Sequence, residues 1–495
     1  MRKTNYYIFY LFLIFFLLLK IEFLANYPTS SDLLNFMYHG QQLINGRLVW
    51  IYEFEDKLPI NQFLFLIPAY FKNLYAWYFV SIFFLALSTL FVFIFSKRYL
   101  KGIKNEKYIF QFSILTSLIY LALNLSFYDS IKHINTIAIN SFVIGFSLLT
   151  VELDKTKKWR IIAILFMGIA VSVRPYFLVP IIFTFLYKNL IGLNYFRIKK
   201  DFFISLFIDF SIFGTSIIFL NFIFYWDQPN TVFAAFEAIR GMGSKINFLE
   251  NLKIHIYNIL FSSIEHAIIF TVTAVYAITH IINIRLYDYK AKLFIVFFIL
   301  LSPIFLFYTI TIREIHIHYV IFYIPFVLFV LIFNLKYFVN NNQSLYKFLS
   351  TIFLILIICN FVSPYPREET MLPQEESAIP QEENIIPRDF VFFAPFNISL
   401  HYDFNQHRFG FPNVEITEMI FKEEYISTFP RIKSKKNFKF PTSSKEYCKL
   451  LNDSKINNII ITGKREMSLF NKCLSIITNY YEDKIDNLTI FIKKQ

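Results

Sequence analysis

About eleven apolar segments run along this chain of 495 residues, and no other feature limits its fold so strongly. A helix needs roughly 20 apolar residues to cross a hydrocarbon core. Tyr7 to Leu19, Val80 to Phe95, Phe202 to Phe224 and Leu293 to Phe307 reach that length or nearly so. The segments at 136–151, 160–173 and 176–187 are shorter, which predicts tilted or half-membrane helices. Such helices are tolerated where their ends line a protein cavity rather than lipid. With 56% hydrophobic and only 17% charged residues, a water-soluble fold of this length would lack polar surface to cover itself. The expectation is an all-α polytopic membrane bundle.

The net charge of +13 suggests nucleic acid at first sight. The Lys and Arg lie in short loops between apolar segments, however, so they report topology and no nucleic-acid partner is expected. Alternate loops, beginning with Arg2 and Lys3, hold 20 of them, and the opposite loops up to residue 318 hold 9. The positive-inside rule therefore predicts a cytoplasmic N-terminus. No small-residue cleavage site follows the first apolar run, so Tyr7 to Leu24 reads as a retained helix. The 65 Phe, with abundant Ile, Lys, Asn and Tyr, read as codon bias rather than function.

Three regions follow: a transmembrane domain over 1–363, an acidic, Pro-containing linker over 364–388, and an extracytoplasmic α/β domain over 389–495. The linker carries a short repeat, Pro373-Gln374-Glu375-Glu376 and Pro380-Gln381-Glu382-Glu383, of the kind that stays solvated. In the last region Phe390 to Phe393, Asn458 to Thr462 and Leu488 to Ile492 read as strands, and Ser443 to Leu451 and Arg465 to Tyr480 as helices. Cys448 and Cys473 share that exported tail, where a disulfide between them is open.

The residues able to carry chemistry fall on one predicted face. Asp32, just after the first helix, can act as acid or base, or can cap an interfacial helix through Leu33, Phe36, Met37, Leu43 and Ile44. Arg174 is flanked by apolar helix on both sides, a costly position unless the guanidinium meets water or an anion. It can grip a phosphate, or snorkel to the interface with Pro175 opening the next helix. Arg313, His316 and His318 form a third cluster. The two His stand two apart, a spacing that favours phosphate contact over a metal pair on a helix. Asp129, Lys132 and His133 occupy a short loop on the same face. Glu237 and Arg240 lie in a long loop over 225–262 that either connects helices or closes as a lid.

The layout resembles the GT-C class of integral-membrane glycosyltransferases, such as protein O-mannosyltransferases and lipid A aminoarabinose transferases. Asp32, Tyr38, Gly40, Leu43 and Gly46 match that class's first outer loop, and Pro59 and Pro68 its entry into the second helix. Lys157-Lys158-Trp159-Arg160 through Gly168 to Arg174-Pro175 resembles its cytoplasmic turn and short helix pair, and His318-Tyr319 ahead of Pro325 its late segment. The resemblance implies a polyprenyl-phosphate sugar donor, an envelope lipid, glycan or protein acceptor, Asp32 as catalytic residue, and Arg174, Arg313, His316 and His318 around the lipid phosphate. Asp129, Lys132, His133, Glu237 and Arg240 would support them. Many members pair two acids in the first loop, whereas Ser30 and Ser31 precede a single Asp32 here, which leaves a divalent cation open. The implied location is a bacterial inner membrane. Two alternatives remain, a lipid-linked polymer ligase or polymerase and a polytopic transporter. No phosphate-binding Gly-rich loop points to a nucleotide.

Overall fold

A computed structural model describes residues 58–71, 74–101, 106–126, 133–150, 157–191, 200–223, 248–261, 264–311 and 317–338, with single positions between 36 and 44 and at 225. Near the C-terminus it describes 390–393, parts of 445–452, 458–461, 471–485 and 488–494. Asp32, Asp129, Lys132, Glu237, Arg240, Arg313 and His316, the first apolar segment and the acidic linker lie outside these residues.

The helical elements are α1 (Ile60–Leu64), α2 (Leu66–Tyr70), α3 (Leu74–Tyr99), α4 (Glu106–Ser126), α5 (Asn135–Thr150), α6 (Lys157–Val173), α7 (Leu178–Ile191), α8 (Lys200–Phe222), α9 (Phe248–Phe261), α10 (Ile264–Ile282), α11 (Tyr289–Phe294), α12 (Ser302–Thr311) and α13 (Ile324–Phe338). A 3-10 turn at Pro175–Phe177 links α6 to α7. A π-helical stretch at Ile295–Leu301 joins α11 to α12, and a 3-10 segment at Ile317–Tyr323 leads into α13. Among the described residues, five stretches are long and apolar enough to cross a membrane: Ala76–Tyr99, Tyr108–Leu125, Lys200–Phe222, Tyr289–Thr311 and Tyr319–Tyr337.

Packing accounts for one of the short apolar segments. In α5 every residue from Asn135 to Leu149 is buried, so this helix meets protein on all sides and need not match the lipid thickness. It packs tightly on α6. A side chain at Gly145 would place its Cβ 2.7 Å from the Ala163 carbonyl oxygen and from Met167 Cγ, so glycine permits the approach. By contrast α8 turns Phe203, Phe207, Ile218 and Phe219 outward, as a lipid-facing helix does.

The chain divides into two compact units, 1–23 with 78–220 and 243–365, and 24–77 with 221–242 and 366–495. The bundle helices described above lie mostly in the first. In the second, Phe65 stacks on Trp77 at 4.0 Å and meets Phe36 at 5.3 Å. Tyr225 Oη donates to Gln62 Oε1 at 3.0 Å. Gly40 lies where an added Cβ would come within 2.5 Å of the Phe65 carbonyl oxygen, which explains the glycine by close backbone approach.

The second unit also holds a four-stranded sheet in the order β1-β2-β4-β3, with β1 (Phe390–Phe393), β2 (Asn458–Ile461), β3 (Tyr480–Ile485) and β4 (Leu488–Lys493). β1 and β2 run parallel, and β4 is antiparallel to both β2 and β3. The helix expected over Arg465 to Tyr480 is not what forms at its described end: Asn471–Cys473 is a 3-10 turn and Tyr480 opens β3. Glu482, Asp483 and Lys484 obscure the strand pattern in sequence, and they are the residue types that protect an edge strand from further pairing. Only Asp486 and Asn487 separate β3 from β4, the spacing of a two-residue hairpin.

Cys448 and Cys473 form a disulfide across 25 residues of sequence. By chain entropy such a loop contributes about 3 kcal/mol. Cys448→Ser is therefore expected to raise amide hydrogen exchange at 458–461 and 488–493 in the full-length protein, and to leave α5 exchange unchanged.

Candidate functional site

Arg174 ends α6 with φ −141° and ψ 103°, an extended conformation enforced by the ring of Pro175, which clashes with helical geometry in the preceding residue. Its N–H still closes the last helical turn onto the Ala170 carbonyl at 2.9 Å. Its side chain turns inward and is 7% exposed. Nε donates to Asn135 Oδ1 at the first residue of α5. Among the described residues no carboxylate pairs with this guanidinium, and its terminal nitrogens have no hydrogen-bond partner.

The surroundings are donors. The Asn135 N–H donates to His133 Nδ1 at 3.2 Å, which places the proton of that imidazole on Nε2. Asn135 Nδ2 is buried and has no partner. Beside Arg174, Tyr176 meets Tyr319 at 5.9 Å and Phe322 at 5.6 Å. The fold thus brings Arg174 and His133 together, and sets the segment of Tyr319 against the residues next to Arg174. His318 belongs to that same 3-10 segment, with its side chain outside the described set. Arg174, Asn135 and His133 at the start of α5 add a positive helix end to a cluster of N–H donors, an arrangement suited to an anion.

Two further polar clusters escaped the sequence reading. Asp209, fully buried in α8, accepts from Arg160 Nε at 2.7 Å and from Asn189 Nδ2 at 2.9 Å, with Lys188 Nζ at 3.3 Å. Arg160 Nη2 also donates to the carbonyl of Ser205 at 2.8 Å and to its hydroxyl at 3.0 Å. Fourteen residues of mostly helical rise separate Arg160 from Arg174, so the two clusters lie roughly 20 Å apart along α6. The only sequence signal was a lone Asp inside an apolar helix.

The other cluster centres on α9, which begins at Phe248 within the stretch 225–262 that the sequence predicts as a loop. Asn251 Nδ2 donates to the Thr311 carbonyl at 3.0 Å, and His255 Nε2 lies 2.9 Å from Tyr323 Oη, against the ring of Phe307. From Phe248 onward this stretch is packed helix, and the residues named for a lid, 226–244, lie outside the described residues. Burial pushes the His255 imidazole down to about 4. The folded value lies below the unfolded one near 6.5, so unfolding takes up a proton between those limits and stability falls as pH drops through them. Going from pH 7 to pH 5 should cost about 2 kcal/mol through this residue. His255→Gln should reduce the pH dependence of the unfolding midpoint between pH 7 and pH 5.

Among the described residues no group of three His, Cys, Asp or Glu side chains could hold a metal ion. The five long apolar helices define a helical integral membrane protein. Set against protein-family models and against curated protein sequences, the chain matches none.

Proposed function

We propose that the protein is a membrane glycosyltransferase that moves a sugar from a polyprenyl-phosphate donor to an envelope lipid, glycan or protein. The observation that carries this reading is the buried Arg174 guanidinium, held by a neutral Asn135 oxygen whose amide Nδ2 is buried without a partner. An unpaired cation in that setting costs several kcal/mol, which an anionic ligand would offset. A lipid phosphate has the charge, the oxygen acceptors and the location. As sugar leaves the donor, charge develops on that phosphate, and donors fixed in advance favour the transition state over the ground state.

On this reading the Arg174 end faces the extracytoplasmic side and the Arg160, Lys188 and Asp209 end the cytoplasm, as the loop charges suggest. Asp32 is assigned to activating the acceptor hydroxyl, Arg313, His316 and His318 to the same phosphate, and Asp129, Lys132, Glu237 and Arg240 to supporting roles. A divalent cation near Asp32 belongs to the same proposal. The sheet-bearing C-terminal region is assigned to acceptor recognition, and the pairing of Cys448 with Cys473 suits an oxidising compartment.

Purified protein in detergent micelles, given a panel of polyprenyl-phosphate sugars and envelope extract, should release polyprenyl phosphate, and Asp32→Asn should abolish the release. A transporter is the second reading, favoured by Asp209, because a buried acid linked to two cations inside a bundle is a common ion-coupling device. Failure of every donor, together with proton-coupled uptake by vesicles that is lost in Asp209→Asn, would decide for transport.

A further inference from the structure

Three helices of the bundle meet along a seam of polar side chains. Asn140 of α5 is fully buried, and its Oδ1 accepts from Ser88 of α3 and from Tyr120 of α4, both at 2.6 Å. The directions of the helices follow from a second set of contacts. Thr116 Oγ1 of α4 donates to Ser96 of α3 at 3.1 Å, and Phe95 of α3 meets Phe146 of α5 at 5.3 Å. Going from Ser88 to Ser96 therefore runs back along α4, from Tyr120 to Thr116, and forward along α5, from Asn140 to Phe146. α3 is antiparallel to α4 and parallel to α5.

That arrangement fixes what lies beyond Asn140 toward the start of α5. Two turns back on α3, on the stripe of Ser88, is Ser81. One turn back on α5, on the stripe of Asn140, is Thr136, next in sequence to the Asn135 that holds Arg174. The hydroxyls of Ser81 and Thr136 and the Nδ2 of Asn140 are all buried and without a hydrogen-bond partner. Seven residues of helix make the seam about 10 Å long.

A buried amide or hydroxyl left unpaired costs about 1–3 kcal/mol, so three along one line call for a ligand. The atoms offer both donors and acceptors and carry no charge, which suits a neutral guest that can both donate and accept. The three residues are fully buried, and the small neutral guest that satisfies buried donors and acceptors in protein interiors is water. We infer that the seam between α3, α4 and α5 holds a file of ordered water molecules, running from the Ser88, Asn140 and Tyr120 junction to the Arg174 and Asn135 cluster. Water delivered from within the bundle would hydrate the Arg174 guanidinium while no anion is bound. The inference stands apart from the identity of the ligand or the reaction.

Cysteine reactivity tests it. Charged methanethiosulfonates react with thiolate, and a thiol whose pKa rises by ~2 units in an apolar setting presents roughly 100-fold less of it. In a Cys359→Ser background, Ser81→Cys and Thr136→Cys should react with 2-aminoethyl methanethiosulfonate about 100-fold faster than Ile144→Cys, a fully buried apolar position further along α5. A second measurement needs no substitution at the seam. Radiolytic labelling of the unaltered protein, in which bound water supplies the hydroxyl radical, should oxidise Tyr120 although it is fully buried. Reaction at Thr136→Cys as slow as at Ile144→Cys, or an unlabelled Tyr120, overturns the proposal.

Discussion

Arg174→Met is expected to lower kcat/KM for polyprenyl-phosphate release about 100- to 1000-fold, the usual cost of removing a fixed donor to a developing oxyanion. The substitution keeps most of the side-chain length and removes the charge, so the packing of α6 on α5 should persist. Arg174→Lys should fall between wild type and Met, because an ammonium restores charge without the planar pair of N–H groups that holds two oxygens at once. Asn135→Asp offers a sharper contrast. A carboxylate in place of the Asn135 amide would pair with the guanidinium and stabilise the fold, yet it would remove the Asn135 Nδ2 donor and neutralise the site. Loss of activity with unchanged or raised stability is the expected signature. Activity close to wild type in both Arg174→Met and Asn135→Asp would assign Arg174 to packing alone and remove the main support for a phosphate at this place.

Much of the bundle could be read from apolar runs. Phe202 to Phe224 corresponds to α8 (Lys200–Phe222), and Leu293 to Phe307 lies within the Tyr289–Thr311 stretch. The reason is general, since a helix without water must carry its own apolar exterior. Arg174 stood out for the same reason, as a charge that such a helix tolerates only with a partner. Asn135 did not stand out. Its importance comes from meeting Arg174 across 39 residues of sequence, and an Asn at the start of a helix looks in sequence like any cap. His255 and Asn251 were hidden by a related effect. Their helix, Phe248–Phe261, alternates apolar with polar side chains and so resembles a surface connector, while Asn251 and His255 are buried, with Asn251 Nδ2 on the Thr311 carbonyl and His255 Nε2 beside Tyr323 Oη. Polar residues inside a membrane bundle pair across helices, and pairing is the part of the fold that a single sequence does not display.

Asp209 is the strongest case of such pairing, and Asp209→Ala is expected to cost about 3 kcal/mol of stability, measured as the midpoint of unfolding in detergent. Removing one member of a buried ion cluster typically costs 3–5 kcal/mol because the remaining charge keeps its desolvation penalty and loses its compensation. The lower end applies here, since Arg160 and Lys188 retain 21% and 14% exposure and can reach toward water. Asn189 and the Ser205 carbonyl and hydroxyl would remain, but they neutralise neither cation. The electrostatic account makes a further claim that simple loss of packing does not. In the triple variant Arg160→Met, Lys188→Met, Asp209→Leu all three charges vanish together, and buried clusters replaced in that way usually hold or gain stability. The triple variant should therefore recover most of what Asp209→Ala loses. If it is no more stable than Asp209→Ala, the side chains at this end of α6, α7 and α8 act through shape, and the charges serve another purpose, of which coupled transport is the one named above.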